Sequence, residues 1–289
     1  MSEPIPVTVI VPVKNEEKNL PVCLAQTEGF RKVVVVDSGS TDATVAIARA
    51  AGAQVVQFRW DGKFPKKRNW VLQTYKFETP WVLFIDADEF MTPAFRAEVR
   101  AAVADTELVG FMLRYRNHFL GRVLKHGFEL RKLALFRVGA GFYERIEEDR
   151  WSGLDMEVHE YPVLSGSVGL IRAPIDHDDF RDLHHYVERH NDYSSWEAHR
   201  YHTLRNDPEA WSRLTRLQKF KYANLARVWY APAFFLGSYF VKGGFLDGWA
   251  GFVFCALKAE HFFNVYCKTK ALKRPLAAEA RGGRGMAPK

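Results

Sequence analysis

Along the first hundred residues the apolar positions fall in short unbroken runs. VTVIVPV (7–13), KVVVVD (32–37), QVVQF (54–58) and WVLFIDADE (81–89) are rich in β-branched residues. Runs of this kind predict strands buried on both faces. Between them lie segments with helix-start signals. KNEEKNLPVCLAQT reads as a helix opening, and in SGSTDATVAIARAAGA either Thr41 or Asp42 can cap a helix over 43–51. A polar loop, RWDGKFPKKRN, leads into a helix through Tyr75, and Thr92-Pro93 opens another. Apolar strands alternating with helices predict an α/β fold: a mostly parallel sheet with helices on both faces. In such sheets ligands bind beyond the carboxyl ends of the strands.

After residue 105 the pattern changes. ELVGFMLRYRNHFLGRVLKHG predicts two strands joined near Leu120-Gly121, and KLALFR (132–137) and GSVGLI (166–171) predict further strands. From Arg181 to Trp229 the spacing is mostly helical, with Pro208 starting a second helix, and AAEARGGRGMAPK (277–289) reads as a disordered tail. The expected division is 1–105 and 106–180 as two halves of one domain, 181–274 as a helical, aromatic-rich extension, and 275–289 as the tail.

Composition narrows the classes. At 289 residues, 47% hydrophobic and 26% charged, the chain can bury a sizeable core, which excludes global disorder. The three cysteines show no CxxC or metal spacing, which excludes a disulfide-stapled module and points to a reducing compartment. The N-terminus lacks a signal-peptide pattern, and the longest apolar run, 228–241, is short for a membrane span. The charge is uneven: residues 200–289 hold 16 basic and 5 acidic residues, a net of +11, against +7 for the whole chain. Basic and aromatic residues together predict an anionic membrane surface as partner. Nucleic acid uses the same residue types but is set aside, and a tail packing its rings on the core is the plain alternative.

The chemistry is expected at strand ends. Asp37 ends the second strand, and Asp86 and Asp88 end the fourth. If 86–88 is extended, both side chains point the same way. Two neighbouring carboxylates repel unless a hard cation joins them, and Mg2+ or Mn2+ held so shares its other positions with phosphate oxygens.

VTVIVPVKNEEKNL, VVVVDSGSTDAT, KKRNW and WVLFIDADE, in that order, resemble the nucleotide-sugar-binding half of the family 2 glycosyltransferases, which have the GT-A fold. The resemblance implies inverting transfer from a nucleoside diphosphate sugar, with Mg2+ or Mn2+. It places Pro12, Glu16 and Asp37 in the nucleotide pocket, Arg68 and Asn69 near the nucleotide, and Asp86 and Asp88 at ribose and metal–diphosphate. GRVLKHG, ALFR, VHE, His177 and FLDGWAGFVFCALKAEHFFNVYCK resemble lipopolysaccharide-core β-glucosyltransferases and related polysaccharide-assembly enzymes. That implies a lipid-linked or polysaccharide acceptor and a peripheral position on the inner face of the cytoplasmic membrane. The processive QxxRW motif is absent, so one sugar per event is expected.

Inversion needs a base for the acceptor hydroxyl. LDMEVHEYP offers Asp155, Glu157, His159 and Glu160. VHE is the part shared with the relatives, so Glu160 is the expected base, with His159 orienting substrate, metal or diphosphate. His177 is expected either near the diphosphate or in a surface turn. Arg131 or Arg137 binds phosphate or makes a structural ion pair. His184, His185, His190, His199 and His202 show no metal spacing and read as surface or packing residues. The alternatives in other classes are a nucleotidyltransferase, disfavoured because VPVKNEEKNL has no glycine, and a non-catalytic nucleotide-binding module.

Overall fold

The computed structural model describes residues 3–146, 154–157, 161–178 and 182–272. The expected tail 275–289 lies outside them. The chain divides into two compact units, Met1–Lys125 with Glu129–Asp179, and His126–Phe128 with Phe180–Lys289.

The first unit is built on one sheet. Its strands are β1 (Ile5–Val13), β2 (Phe30–Asp37), β3 (Gln54–Gln57), β4 (Trp81–Phe84), β5 (Glu89–Met91), β6 (Gly110–Phe119), β7 (Arg122–Val123), β8 (Arg131–Arg137) and β11 (Val168–His177). β9 (Gly141–Tyr143) and β10 (Pro162–Leu164) form a separate antiparallel pair. The order across the main sheet is β3-β2-β1-β4-β8-β6-β11-β5, with β7 on β6. It is parallel from β3 to β4. Beyond β4 it is mixed: β8 is antiparallel to both β4 and β6, whereas β11 is parallel to β6.

The helices of this unit are α1 (Leu20–Ala25), α2 (Thr44–Ala50), α3 (Lys67–Thr74) and α4 (Pro93–Ala104). Thr92 caps α4 by accepting from the Phe95 N–H at 3.1 Å, with proline in the first turn. Side-chain capping of α2 differs from expectation. Its boundary residue is Ala43, and Asp42 instead accepts from the Thr44 N–H.

The runs of β1, β2 and β4 bury in a single core, whereas β3, expected to be covered on both faces, is the sheet edge and its Val55 and Val56 are only partly buried. Every residue of β4 is buried, as is all of β1 except Pro6. Thr8 is the polar residue within β1. Its hydroxyl lies 2.7 Å from that of Thr79, which donates onward to the Trp81 carbonyl, so no buried donor is orphaned there. The β6–β7 hairpin turns at Leu120 and Gly121, both with positive φ, as a tight two-residue connection requires.

One feature of the topology locates the ligand crevice. The chain runs outward from β1 through β2 to β3, then returns past β1 to begin β4. The strand order therefore reverses between β1 and β4. β1 pairs with β4 only as far as Ile10↔Phe84, so the carboxyl ends of the two strands part beyond that point. A crevice at such a reversal is the standard ligand position in open α/β sheets.

The second unit is helical: α5 (Leu183–Asn206), α6 (Pro208–Arg213), α7 (Arg216–Asn224), α8 (Tyr230–Leu236) and α9 (Gly248–Leu272), with a π-helical turn, Gly237–Val241, and a 3-10 turn, Gly244–Asp247, between the last two. Asp182 caps α5, Asp207 caps α6, and Thr215 with Gln218 forms a capping box on α7. The core joins Ala198, Tyr201 and Leu204 of α5 to Leu225 and to Val265 of α9. Glu197, buried in α5, pairs with Lys221 and with His261.

Candidate active site

Beyond β4 the chain does not stay extended. The strand ends at Phe84, and residues 85–88 turn, with the Glu89 N–H donating to the Asp86 carbonyl at 3.0 Å before β5 begins. Asp86 and Asp88 thus stand on a turn and not on a strand, which corrects the expected geometry. The turn adds a third acid, Glu89, which is fully buried.

Asp86 is clamped. The Arg68 guanidinium donates to its Oδ1 at 2.6 Å, and the Lys132 ammonium donates to its Oδ2 at 3.3 Å. Lys132, on β8, also donates to Glu89. Burial pushes the Asp86 carboxyl up, but Arg68 and then Lys132 outweigh it and hold the group well below the aspartate range. Burial pulls Lys132 down, yet Glu89 and Asp86 outweigh that and keep it well above the ordinary lysine value. Glu89 goes the other way. Its burial dominates, neighbouring Asp86 and Asp88 add to it, and the carboxyl is pushed up to about 7 despite Lys132.

Asp88 differs from its neighbours. Its backbone carbonyl accepts from the Asp178 N–H at 3.2 Å, but its carboxylate has no partner among the described residues. Arg68 and Lys132 thus pair with Asp86 and Glu89, and of the three acids on the turn only Asp88 has no cation against its carboxylate among the described residues. Among the described residues no group of three or more His, Cys, Asp or Glu side chains could hold a metal ion unaided. A hard cation bound through one or two carboxylates and otherwise by phosphate oxygens fits this donor set.

Arg68 is itself positioned from a distance. Glu157 accepts the backbone N–H groups of Arg68 and Asn69 at 2.8 and 2.9 Å, capping α3, while its own carbonyl accepts from the Arg68 guanidinium. Asn69 is fully buried, and its amide pairs with the Tyr143 backbone in both directions, at 3.1 and 2.9 Å. It therefore orients α3 against β9 and does not face the crevice. The Lys67 ammonium donates to the Val13 carbonyl at 3.2 Å, where β1 ends, and lies 3.4 Å from Asp155.

The remaining expected residues sort by element. Pro12 is buried in β1 opposite Val36, beyond the last residue that pairs with β4. Asp37 is 1% exposed and accepts from the Gly39 and Ser40 N–H groups and from the Ser40 hydroxyl, closing the turn after β2. Glu16 accepts from the Asn19 amide at 2.9 Å. His177 pairs in register with Glu89 across β11 and β5, with its ring edge-on to Tyr115, whose hydroxyl donates to Glu89 at 3.3 Å. Neither arginine around KLALF faces the site. Arg131 pairs with Glu129, and Arg137 donates to the Leu108 and Thr106 carbonyls over the Trp81 ring. The cation between them, Lys132, does reach the site, and alternation along the strand is the signal that separates it from Arg131. His159 and Glu160 lie outside the described residues.

Residues 8–153 match the profile of the family described as Glycosyl transferase family 2. A lipopolysaccharide core biosynthesis glycosyltransferase, LpsC, of Rhizobium meliloti (strain 1021) is 28% identical over 280 residues, covering 90% of this chain and 93% of that protein. Among solved structures, mannosyltransferase PcManGT from Pyrobaculum calidifontis, in complex with GDP-Man and Mn2+, aligns over 95% of this chain and 89% of that one, with TM-score 0.50 and 18% identity. That likeness shows the fold. Glucosyl-3-phosphoglycerate synthase from Mycobacterium tuberculosis matches over 39% of this chain and 44% of that one, with TM-score 0.31 and 25% identity. With the strand-order reversal and the profile in agreement, the chain belongs to glycosyltransferase family 2, and its first unit has the GT-A fold.

Proposed function

We propose that the protein moves one sugar, with inversion, from a nucleoside diphosphate sugar to a lipid-linked or lipopolysaccharide-type acceptor, with Mg2+ or Mn2+, at the cytoplasmic face of the membrane. The observation that carries this reading is the open Asp88 carboxylate beside the clamped Asp86, at the mouth of the crevice between β1 and β4. The relative named for lipopolysaccharide core biosynthesis, aligned over nearly its whole length, supports the acceptor class.

Asp88 would hold the cation, with Asp86 next to it. When bound, the cation supplies charge stabilisation for the departing diphosphate. The chain's own residues do the rest. Arg68 and Lys132 fix Asp86 in one orientation, and His177 flanks the same turn through its pairing with Glu89. Inversion is a single displacement: the acceptor oxygen bonds to the anomeric carbon, the bond to the diphosphate oxygen breaks, and the acceptor proton passes to a base. Two of the four candidates for that base are committed elsewhere, Asp155 to Lys67 and Glu157 to the α3 amides. His159 and Glu160 remain, and the resemblance of VHE to the relatives assigns Glu160 as the base, with His159 beside it in sequence.

The test is a donor screen by thermal shift with Mn2+, followed by an assay of nucleoside diphosphate release. A true donor raises the melting temperature by mass action. Glu160→Gln is expected to keep that shift and lose release. If no nucleotide sugar shifts the melt or releases diphosphate, the reading fails. If Glu160→Gln turns over normally, the base lies elsewhere.

A further inference from the structure

The helical unit exposes an apolar surface that its own core does not use. Phe240, Val241, Phe245, Leu246, Trp249 and Phe252 are all exposed, Val241 at 85% and Trp249 at 71%. They form one patch. Tyr239 contacts the rings of Phe240, Phe245 and Phe252 at 5.0 to 6.2 Å, and Trp249 stacks on Phe252 at 5.5 Å. Contiguous exposed apolar surface of this kind marks an interaction site.

The patch sits on a built bend. The segments Tyr230–Val241 and Gly244–Leu272 meet at 71°, and among the described residues no single helix is long and apolar enough to cross a membrane. Glycines lock the bend. A Cβ on Gly251 would stand 2.1 Å from the Gly244 carbonyl oxygen, and one on Gly244 would stand 2.8 Å from the Cys255 sulfur. Asp247 is pinned by His126, whose backbone N–H donates at 2.8 Å and whose ring lies at 3.0 Å. The Gly127 N–H donates to the Lys242 carbonyl at 2.9 Å. The rings therefore cannot turn inward without breaking this packing.

Charge selects the occupant. Between residues 228 and 257 the only charged residues are Lys242 and Asp247, and the Asp247 side chain is 7% exposed and engaged by His126. Arg216 and Arg227 before the stretch, Lys242 within it and Lys270 after it are exposed, whereas Lys221 is paired with Glu197 and Lys258 and Lys268 are bonded to α5; Glu260 is the one exposed acid between Lys258 and Lys268. Aromatic rings without an exposed acid, flanked by lysine and arginine, match the acyl–headgroup boundary of an anionic leaflet. The geometry points to a preformed wedge: the α8–α9 bend inserts its tip into one leaflet of an anionic bilayer, to a depth of about 5–10 Å, without crossing it.

This rests on the proposed site of action at a membrane, but the test reads partitioning and not sugar transfer, so the two readings can fail separately. Full-length protein is floated with vesicles of phosphatidylcholine, with or without phosphatidylglycerol. The wild type is expected to partition to the anionic vesicles. Val241→Asp with Trp249→Asp should weaken this at least about tenfold, because two exposed apolar contacts are replaced by charge. Both substitutions lie on exposed side chains, so the melting temperature should hold. Trp249→Phe keeps the apolar surface. It should partition normally yet lose part of the emission quenched by lipids brominated high on the acyl chain. The inference is overturned if the wild type stays free, if it binds neutral and anionic vesicles alike, or if the double variant partitions as the wild type does. A vesicle-free dimer that the double variant splits would also overturn it, by making the patch an interface between copies.

Discussion

Arg68 donates to Asp86 across 2.6 Å from a helix that begins one residue earlier, at Lys67. Both side chains are largely buried, so the pair is costly to break from one side. Arg68→Met would leave Asp86 with Lys132 alone, and loss of one partner of a buried pair costs on the order of 3 kcal/mol. A urea midpoint lowered with an unchanged slope is the expected result. An unchanged midpoint would show that Lys132 suffices.

Asp88 should behave oppositely. Its carboxylate has no partner among the described residues, so Asp88→Asn removes charge without removing a contact. Folding stability is expected within about 0.5 kcal/mol of wild type. Diphosphate release should fall by about a hundredfold or more, and the Mn2+ concentration needed should rise. A variant with normal release and normal Mn2+ dependence would remove Asp88 from the cation site.

Glu89 gives a pH signature in metal-free buffer. Its folded pKa, raised to about 7 from the 4.5 of a free glutamate, means that the folded state binds more protons than the unfolded state between those values. Stability contributed by this group is therefore full below about pH 4.5 and is lost as pH rises through 7. Asp86, held low, acts in the opposite sense at more acid pH: its contribution is full above the ordinary aspartate value and is lost as pH falls. Glu89→Gln should gain stability relative to the wild type between pH 5 and pH 8. Parallel stability curves for the two proteins would refute the shift.

The bend in the helical unit is sensitive to a single methyl group. Gly251→Ala would put a Cβ 2.1 Å from the Gly244 carbonyl oxygen, inside contact distance of rigid backbone. Overpacking of this kind costs about 1–3 kcal/mol, so the variant should melt earlier and bind vesicles less tightly. Helix propensity alone would make the same change stabilising by about 1 kcal/mol, so the sign of the effect separates the two causes. A variant that melts no earlier than the wild type would show that the bend has slack.

What could be read in the chain was whatever local patterning encodes. Continuous apolar runs gave β1, β2, β3 and β4, Thr92-Pro93 gave the start of α4, and Leu120-Gly121 gave the β6–β7 turn. Strand pairing beyond β4 was not legible, because β8 enters antiparallel between β4 and β6 and no local signal specifies that. The same non-local pairing brings Lys132 to Asp86 and Glu89. The arginines that bracket KLALF both have structural partners instead. The extended reading of 86–88 failed because Glu89 begins a strand of its own, paired with β11. From sequence Asn69 is expected near the nucleotide and Glu157 among the candidate bases, and only their long-range bonds about α3 show why both are buried.

The clamp on Asp86 has a thermodynamic corollary. Its two oxygens are aimed by Arg68 and Lys132 before any ligand arrives, so the entropy of immobilising that carboxylate is settled during folding and not at binding. Donor affinity should then track the integrity of the β4–β8 seam: loosening that seam would blunt recognition at temperatures where the protein is still folded.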